Sequence, residues 1–244
     1  MKFIEPLRFR TLAAKALDAG AAYTGPTSIT WNIAGKCENP FQVVLYSKGE
    51  LPGQVGKLNV ALTNRRRYLI QDTPCRKCHA CLKARQKLWA GRGKFEIKVA
   101  PRTWFGTLTF RPEERVKMKI LAGRTEKCNV DTLPDAKYFA AVGKQCGKEF
   151  TKFMKRVRKN HNAKLRYLMV LEEHKDGFPH IHVLIHEMMT PISKRDLESC
   201  WPYGFTKFKL SDENASWYVT KYLFKSNLAR VRASIGYGHD DLLS

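Results

Sequence analysis

Between Asp135 and Lys159 the apolar residues Phe139, Val142, Cys146, Phe150, Phe153, Met154 and Val157 recur every three or four positions. That spacing keeps one face of an α-helix apolar, so it predicts a long helix buried along that face. Gly143 and Gly147 fall inside it, each costing about 1 kcal/mol relative to Ala. Elsewhere the period changes. "TWFGTLTF" (103–110), "LRYLMVLE" (165–172) and "HIHVLIHE" (180–187) are aromatic and β-branched, and they predict strands. Arg111-Pro112 closes the first of these, and the short turn "HKDG" makes the other two an antiparallel hairpin. Ser193 is placed to cap a short helix. "YGFTKFKL" (203–210) alternates as a fourth strand, and Ser211 or Asp212 then caps a last helix from Glu213 to about Ser226. Leu82 to about Val99 is helix-compatible, weakened by Gly91 and Gly93, and ends before Pro101. Hairpin strands alternating with packed helices, in the order β-α-β-β-α-β-α, imply an α+β fold on a central antiparallel sheet. The expected division is an N-terminal segment over 1–100, a core over 101–230 and a tail over 231–244. Residues 1–64 are turn-rich and carry no readable element.

Composition narrows this picture. The chain has 244 residues, 43% of them hydrophobic, enough for one ordinary core with a small satellite. No apolar run reaches the length of a membrane span. The first twenty residues include Glu5 and Pro6 and lack a sustained apolar stretch, so they do not read as a signal peptide. A cytoplasmic location is expected, in which the seven cysteines are thiols or metal ligands rather than disulfides. The net charge is +22 and it is clustered. From Arg65 to Arg102 the only acids are Asp72 and Glu96, and from Lys144 to Arg166 the only one is Glu149. A soluble surface usually mixes its signs; unmixed basic runs point to nucleic acid.

Two constellations carry candidate chemistry. His180 and His182 are two apart on a predicted strand and so share a face. Taken alone they are ordinary polar residues of a half-buried strand. The turn, however, can bring Glu172 to them, and two imidazoles with a carboxylate suit a divalent ion with open positions. Glu173 competes for the carboxylate role but points to the opposite face. His174 reads as a turn residue and His186 as structural. In "WYVTKYLFK" (217–225), Tyr218 and Tyr222 share a helical face with Lys221 beside them. Such a pair is ordinarily core, yet a tyrosine can also act as a covalent nucleophile.

The motifs "FGTLTF" (105–110), Glu172 followed by "GFPHIHVLI" (177–185), and "YVTKY" (218–222) stand in an order that resembles the HUH endonucleases of rolling-circle replication. The likeness is greatest to the replication initiation proteins of microviruses, the gokushovirus-like bacteriophages, and covers about residues 75–226. It implies an HUH/RRM-like sheet and a site-specific DNA endonuclease and strand transferase. Glu172, His180 and His182 would hold Mg²⁺ or Mn²⁺, Tyr218 and Tyr222 would be alternating nucleophiles, and Lys221 would position or neutralise phosphate. The implied partners are single-stranded origin DNA, unpaired or extruded as a hairpin, with a host helicase and polymerase in the bacterial cytoplasm. The related transposases and relaxases share the histidine pair. A noncatalytic zinc protein that binds nucleic acid is the alternative from another class.

"PCRKCHACLKAR" (74–85) contains a C-x-x-C-H haem pattern, but Cys81 follows Cys75 and Cys78 at the same spacing, and three thiolates suit zinc better. The resemblance supplies Cys37 as the fourth ligand of a small structural zinc segment, and His79 is the local alternative. Cys128, Cys146 and Cys200 lack metal spacing. No P-loop is present, so strand separation falls to a partner. Trp104, Trp217 and Phe205 are aromatic enough to stack on bases, with core packing the expected role of each.

Overall fold

The computed structural model describes residues 28–32, 35–46, 68–174, 176–212, 214–226 and 228–239. The N-terminal stretch, the basic triplet Arg65–Arg67 and the expected helix start at Glu213 lie outside them. The chain divides into two compact units, residues 1–81 and 82–244.

The first unit contains strands where the sequence predicts none: β1 (Ser28–Asn32), β2 (Phe41–Tyr46) and β3 (Tyr68–Thr73). β3 is central, parallel to β1 and antiparallel to β2. Strands this short, one pair of them parallel and distant in sequence, leave no local periodicity to detect. Helix α1 (His79–Val99) begins at the last residues of this unit.

The second unit has the expected α+β character. β4 (Arg102–Leu108), β5 (Leu165–Glu173), β6 (Pro179–Glu187), β7 (Thr206–Leu210) and β8 (Arg230–Ala233) form one antiparallel sheet in the order β7-β4-β6-β5-β8. β6 is the middle strand and almost wholly buried, so its buried polar side chains His182, His186 and Glu187 need hydrogen-bond partners. Gly177, at φ +78°, turns β5 into β6 in a backbone conformation that L side chains avoid. β8 departs from expectation. It occupies residues at the end of the predicted core and the start of the predicted tail, and four residues at a sheet edge give too short a pattern to register.

Helices α1, α2 (Pro112–Glu126), α3 (Asp135–His161), α4 (Lys194–Ser199) and α5 (Ala215–Lys225) accompany the sheet. The unexpected one is α2. Pro112 at its start and Glu113 and Glu114 in its first turn are sound start signals. Only Met118 and Ala122 of it are buried, so its apolar pattern is weak. On one face of the sheet, Ile181, Val183, Met169 and Phe208 pack with the apolar stripe of α3. At Gly147 a Cβ would lie 2.6 Å from the Arg232 guanidinium carbon of β8, the movable end of a flexible side chain. The opposite face, with Phe105, Leu168, Val170 and Leu184, is covered by α5 and by Trp89 and Ile97 of α1. The two helices meet closely: a Cβ on Gly93 would lie 2.9 Å from that of Ser216. Gly93 is therefore a packing device, since its missing side chain lets α1 and α5 meet.

Two buried carboxylates tie distant elements together. Glu187, 1% exposed, accepts bonds from Arg102 Nε (2.6 Å), Trp104 Nε1 (2.7 Å) and Ile192 N (2.9 Å). Glu96, fully buried, takes Arg166 through both carboxylate oxygens and also the Gly238 N–H. That arrangement fastens the 234–239 segment to α1 and β5. His186 is enclosed between Thr103 Oγ1 (2.9 Å) and Tyr237 Oη (2.7 Å), the structural role expected of it. Burial, and after it the Arg166 charge, lowers its pKa from 6.5 to about 3. The unfolded chain takes up a proton below pH 6.5 that the folded chain refuses until about pH 3, so this stability is lost as pH falls through that window. At pH 5 the loss is about 2 kcal/mol. Urea unfolding at pH 7 and pH 5 should show the difference in the wild type and a smaller one in His186→Gln.

Candidate metal centre and tyrosine pair

Strand register builds the first group. Glu172 stands opposite His180, and His182 stands between Val170 of β5 and Thr107 of β4. Alternation then puts Glu172, His180 and His182 on the face that α5 covers. His182 Nε2 lies 2.9 Å from Glu172 Oε2 and 2.8 Å from His180 Nε2, and His180 Nε2 lies 3.5 Å from the same carboxylate oxygen. Glu173 pairs with Pro179 and falls on the other face. Glu172 is thus the carboxylate that joins the histidines.

These three atoms form a triangle of lone-pair donors, and donors about 2.1 Å from an octahedral ion stand about 3 Å apart. The set of two nitrogens and one oxygen suits a first-row divalent ion. Burial, then the adjacent His182, lowers the His180 pKa to about 4, so its imidazole is neutral and able to ligate. Thr107 Oγ1 lies 3.4 Å from His182 Nδ1, the outer hydrogen bond that fixes a ligating imidazole. Nothing in the sequence singles out Thr107. The period of two in "TWFGTLTF" pairs it with Phe105, but only the β4–β6 register sets both beside the histidines.

The tyrosines come to the same place. The ring of Tyr222 lies parallel to that of His182, with centroids 4.1 Å apart at 6°. Tyr218 meets Phe105 edge-on at 5.2 Å and Tyr222 at 6.1 Å. Lys221 Nζ is 3.6 Å from the Tyr218 ring centroid, and Lys209 of β7 is at 5.9 Å. Their environments differ. Tyr222 is 7% exposed and Tyr218 47%. A hydrogen bond from Tyr222 and the Lys221 charge hold the Tyr218 phenol below its usual range, while burial pushes Tyr222 upward. Asn214 stands at the N-terminus of α5, its N–H bonded to Asp212 Oδ1. Of the three aromatics expected in the core, Trp104 is buried, whereas Trp217 is 48% and Phe205 68% exposed.

The second group lies in the first unit. Cys37, Cys75, Cys78 and Cys81 bring their sulfurs within 4.8 Å of one another. Cys75 to Cys81 and Cys78 to Cys37 are each 3.9 Å. Sulfurs about 2.3 Å from a tetrahedral zinc stand about 3.8 Å apart, so the spacing suits that ion and exceeds a disulfide. The Lys77 and Cys78 backbone N–H groups lower the Cys75 pKa to about 6, whereas burial raises Cys81 to about 12. Cys37, and not His79, completes the set. Cys146 and Cys200 are buried and Cys128 is exposed.

The basic run after Lys144 goes elsewhere. Lys144, Lys148, Lys155 and Lys159 are exposed on α3, across the sheet from the tyrosines. No helix among the described residues is long and apolar enough to cross a membrane. No curated protein and no solved structure matches the chain. A family model described as replication-associated protein ORF2 matches residues 103–227, which run from the first core strand through the helix of the two tyrosines. With half its length matched, and with the Glu/His/His group and both tyrosines inside the match, the chain belongs to this family of replication-associated proteins.

Proposed function

We propose that the protein initiates rolling-circle replication as an HUH-type nuclease, cutting single-stranded origin DNA with a tyrosine and later rejoining it. One observation carries this reading: two tyrosines of one helix rest on the sheet face that gathers Glu172, His180 and His182, with Tyr222 stacked on His182 at 4.1 Å. Glu172, His180 and His182 would hold Mg²⁺ or Mn²⁺. Such an ion supplies Lewis-acid polarisation of a phosphoryl oxygen.

The remaining work belongs to the chain. Tyr218, half-exposed and flanked by Lys221 and Lys209, gives up its phenolic proton and forms an oxygen–phosphorus bond. The phosphorus–O3′ bond breaks, and the leaving oxygen takes a proton to become the 3′-OH that primes synthesis. The 5′ end stays as phosphotyrosine. Lys221 offsets charge on the reacting phosphate. After a round of synthesis Tyr222, released from its stack, serves as the second nucleophile, and strand transfer closes the circle. A host helicase and polymerase would supply unwinding and synthesis. The finer proposal is an initiator of the microvirus kind.

The test is incubation with single-stranded fragments of the circular genome encoding the chain, with Mn²⁺ or EDTA, on a denaturing gel. A metal-dependent protein–DNA band is expected. Tight binding without any band would favour a noncatalytic DNA-binding protein instead.

The four-cysteine group is proposed as a structural zinc site. The purified protein should contain one zinc per chain. Cys75→Ser should release it and reduce protection of backbone amides in residues 68–81, as read by hydrogen exchange. The second unit should keep its own protection.

A further inference from the structure

A cavity of about 510 Å³ opens beside Tyr218, between the end of β7 and the start of α5. It belongs to neither metal group. We propose that it receives one unpaired base of the origin strand, from a nucleotide flanking the phosphate that Tyr218 attacks. This inference rests on the function proposed above and adds to it a site of base selection.

The lining carries the proposal. Phe105, Trp217 and Tyr218 form its aromatic walls, and Lys209, Asp212 and Asn214 supply polar groups. Trp217 is a large apolar side chain left 48% exposed at the mouth of a cavity, where the chain gains little from it in folding. Aromatic faces of this kind are stacking platforms for unpaired bases. The volume lies within the roughly 300–1,000 Å³ of small-ligand sites, so one base fits.

Charge separates base from phosphate. Asp212 shares the lining with Lys209, so the cavity carries no net positive charge to draw a phosphate in, whereas Lys221 adds a second cation at the tyrosine. The cations stand at the tyrosine: Lys209 Nζ is 5.9 Å and Lys221 Nζ 3.6 Å from the Tyr218 ring centroid. A nucleotide would therefore seat its phosphate at the lysines and turn its base inward. A carboxylate accepts hydrogen bonds, so it favours an edge with an exocyclic amino group, as in cytosine, adenine or guanine, over thymine. Asp212 Oδ1 already accepts the Asn214 N–H, which holds the carboxylate at the cavity wall.

The experiment is a base scan. Single-stranded origin DNA is varied to each base, and to an abasic residue, at every position around the nick. Adduct rate and equilibrium affinity are both measured. In the wild type one position should disfavour thymine and the abasic residue. Asp212→Asn keeps an acceptor for the Asn214 N–H but adds a donor, and should change the preference at that position alone by about tenfold. Trp217→Ala should weaken binding of the preferred strand by about tenfold, Trp217→Phe should restore most of it, and the abasic residue should add little to Trp217→Ala. The proposal is overturned if the variants act equally on every sequence, or if the abasic and Trp217→Ala effects multiply. Should no adduct form on any fragment, the nuclease reading fails, while the affinity scan still decides whether a base occupies the cavity.

Discussion

Tyr218→Phe is expected to slow the first cleavage of single-stranded origin DNA by roughly 10⁴-fold or more, the scale on which enzymes lose rate when a covalent nucleophile is removed. Tyr222→Phe should cost the same step only about ten- to a hundredfold, the worth of one hydrogen bond to a developing anion. The asymmetry follows from position. Tyr218 is half-exposed beside two lysines, and Tyr222 is buried against the His182 ring. The Tyr222 hydroxyl is also the main reason the Tyr218 phenol ionises more readily than usual. Removing it raises the Tyr218 pKa, so the alkaline rise in cleavage rate should move to higher pH in Tyr222→Phe. Single-turnover adduct formation against pH checks both statements. Equal losses in the two variants, with no movement of the profile, would mean that the tyrosines are interchangeable at the first step.

The second large effect is expected at the Glu/His/His group. On the proposed function, His182→Ala and Glu172→Ala should each lower cleavage by about 10³-fold or more, since each would remove one of the three side chains that would hold the ion. Raising Mn²⁺ should recover part of the Glu172→Ala loss. His182→Ala should recover less, because His182 also supports the Tyr222 ring. Thr107→Val separates ligation from packing. It removes the hydroxyl 3.4 Å from His182 Nδ1 while keeping a branched strand residue. Its Mn²⁺ midpoint should rise about 10- to 100-fold with the saturated rate little changed. Calorimetric Mn²⁺ titration, with thermal unfolding as a control for fold, measures this directly.

What the sequence determined follows from short-range rules. The spacing from Phe139 to Val157 specified the longest helix, because a 3.6-residue period survives without knowing the partner surface. The hairpin of β5 and β6 was likewise legible, and with it the approach of Glu172 to His180, because a short turn leaves little freedom in pairing. Net charge and the cysteine spacing are chemical facts at any fold. The matched family and the five-stranded antiparallel sheet agree with that reading at the level of replication-associated function and α+β architecture.

Tertiary structure decided the rest, because the deciding contacts join residues far apart in the chain. α2 buries only Met118 and Ala122, and β8 finds its partner some sixty residues back on β5, so neither left a usable local pattern. Gly93 looks like a helix flaw until Ser216 is found against it. Trp217 and Phe205 read as core residues, since composition cannot tell which aromatics the core has room for. Thr107 and Lys209 join the site only through the β4–β6 and β4–β7 registers. The difference between Tyr218 and Tyr222 is of the same kind. Their spacing puts both on one helical face, but which phenol is buried and which meets solvent depends on where the helix rests on the sheet.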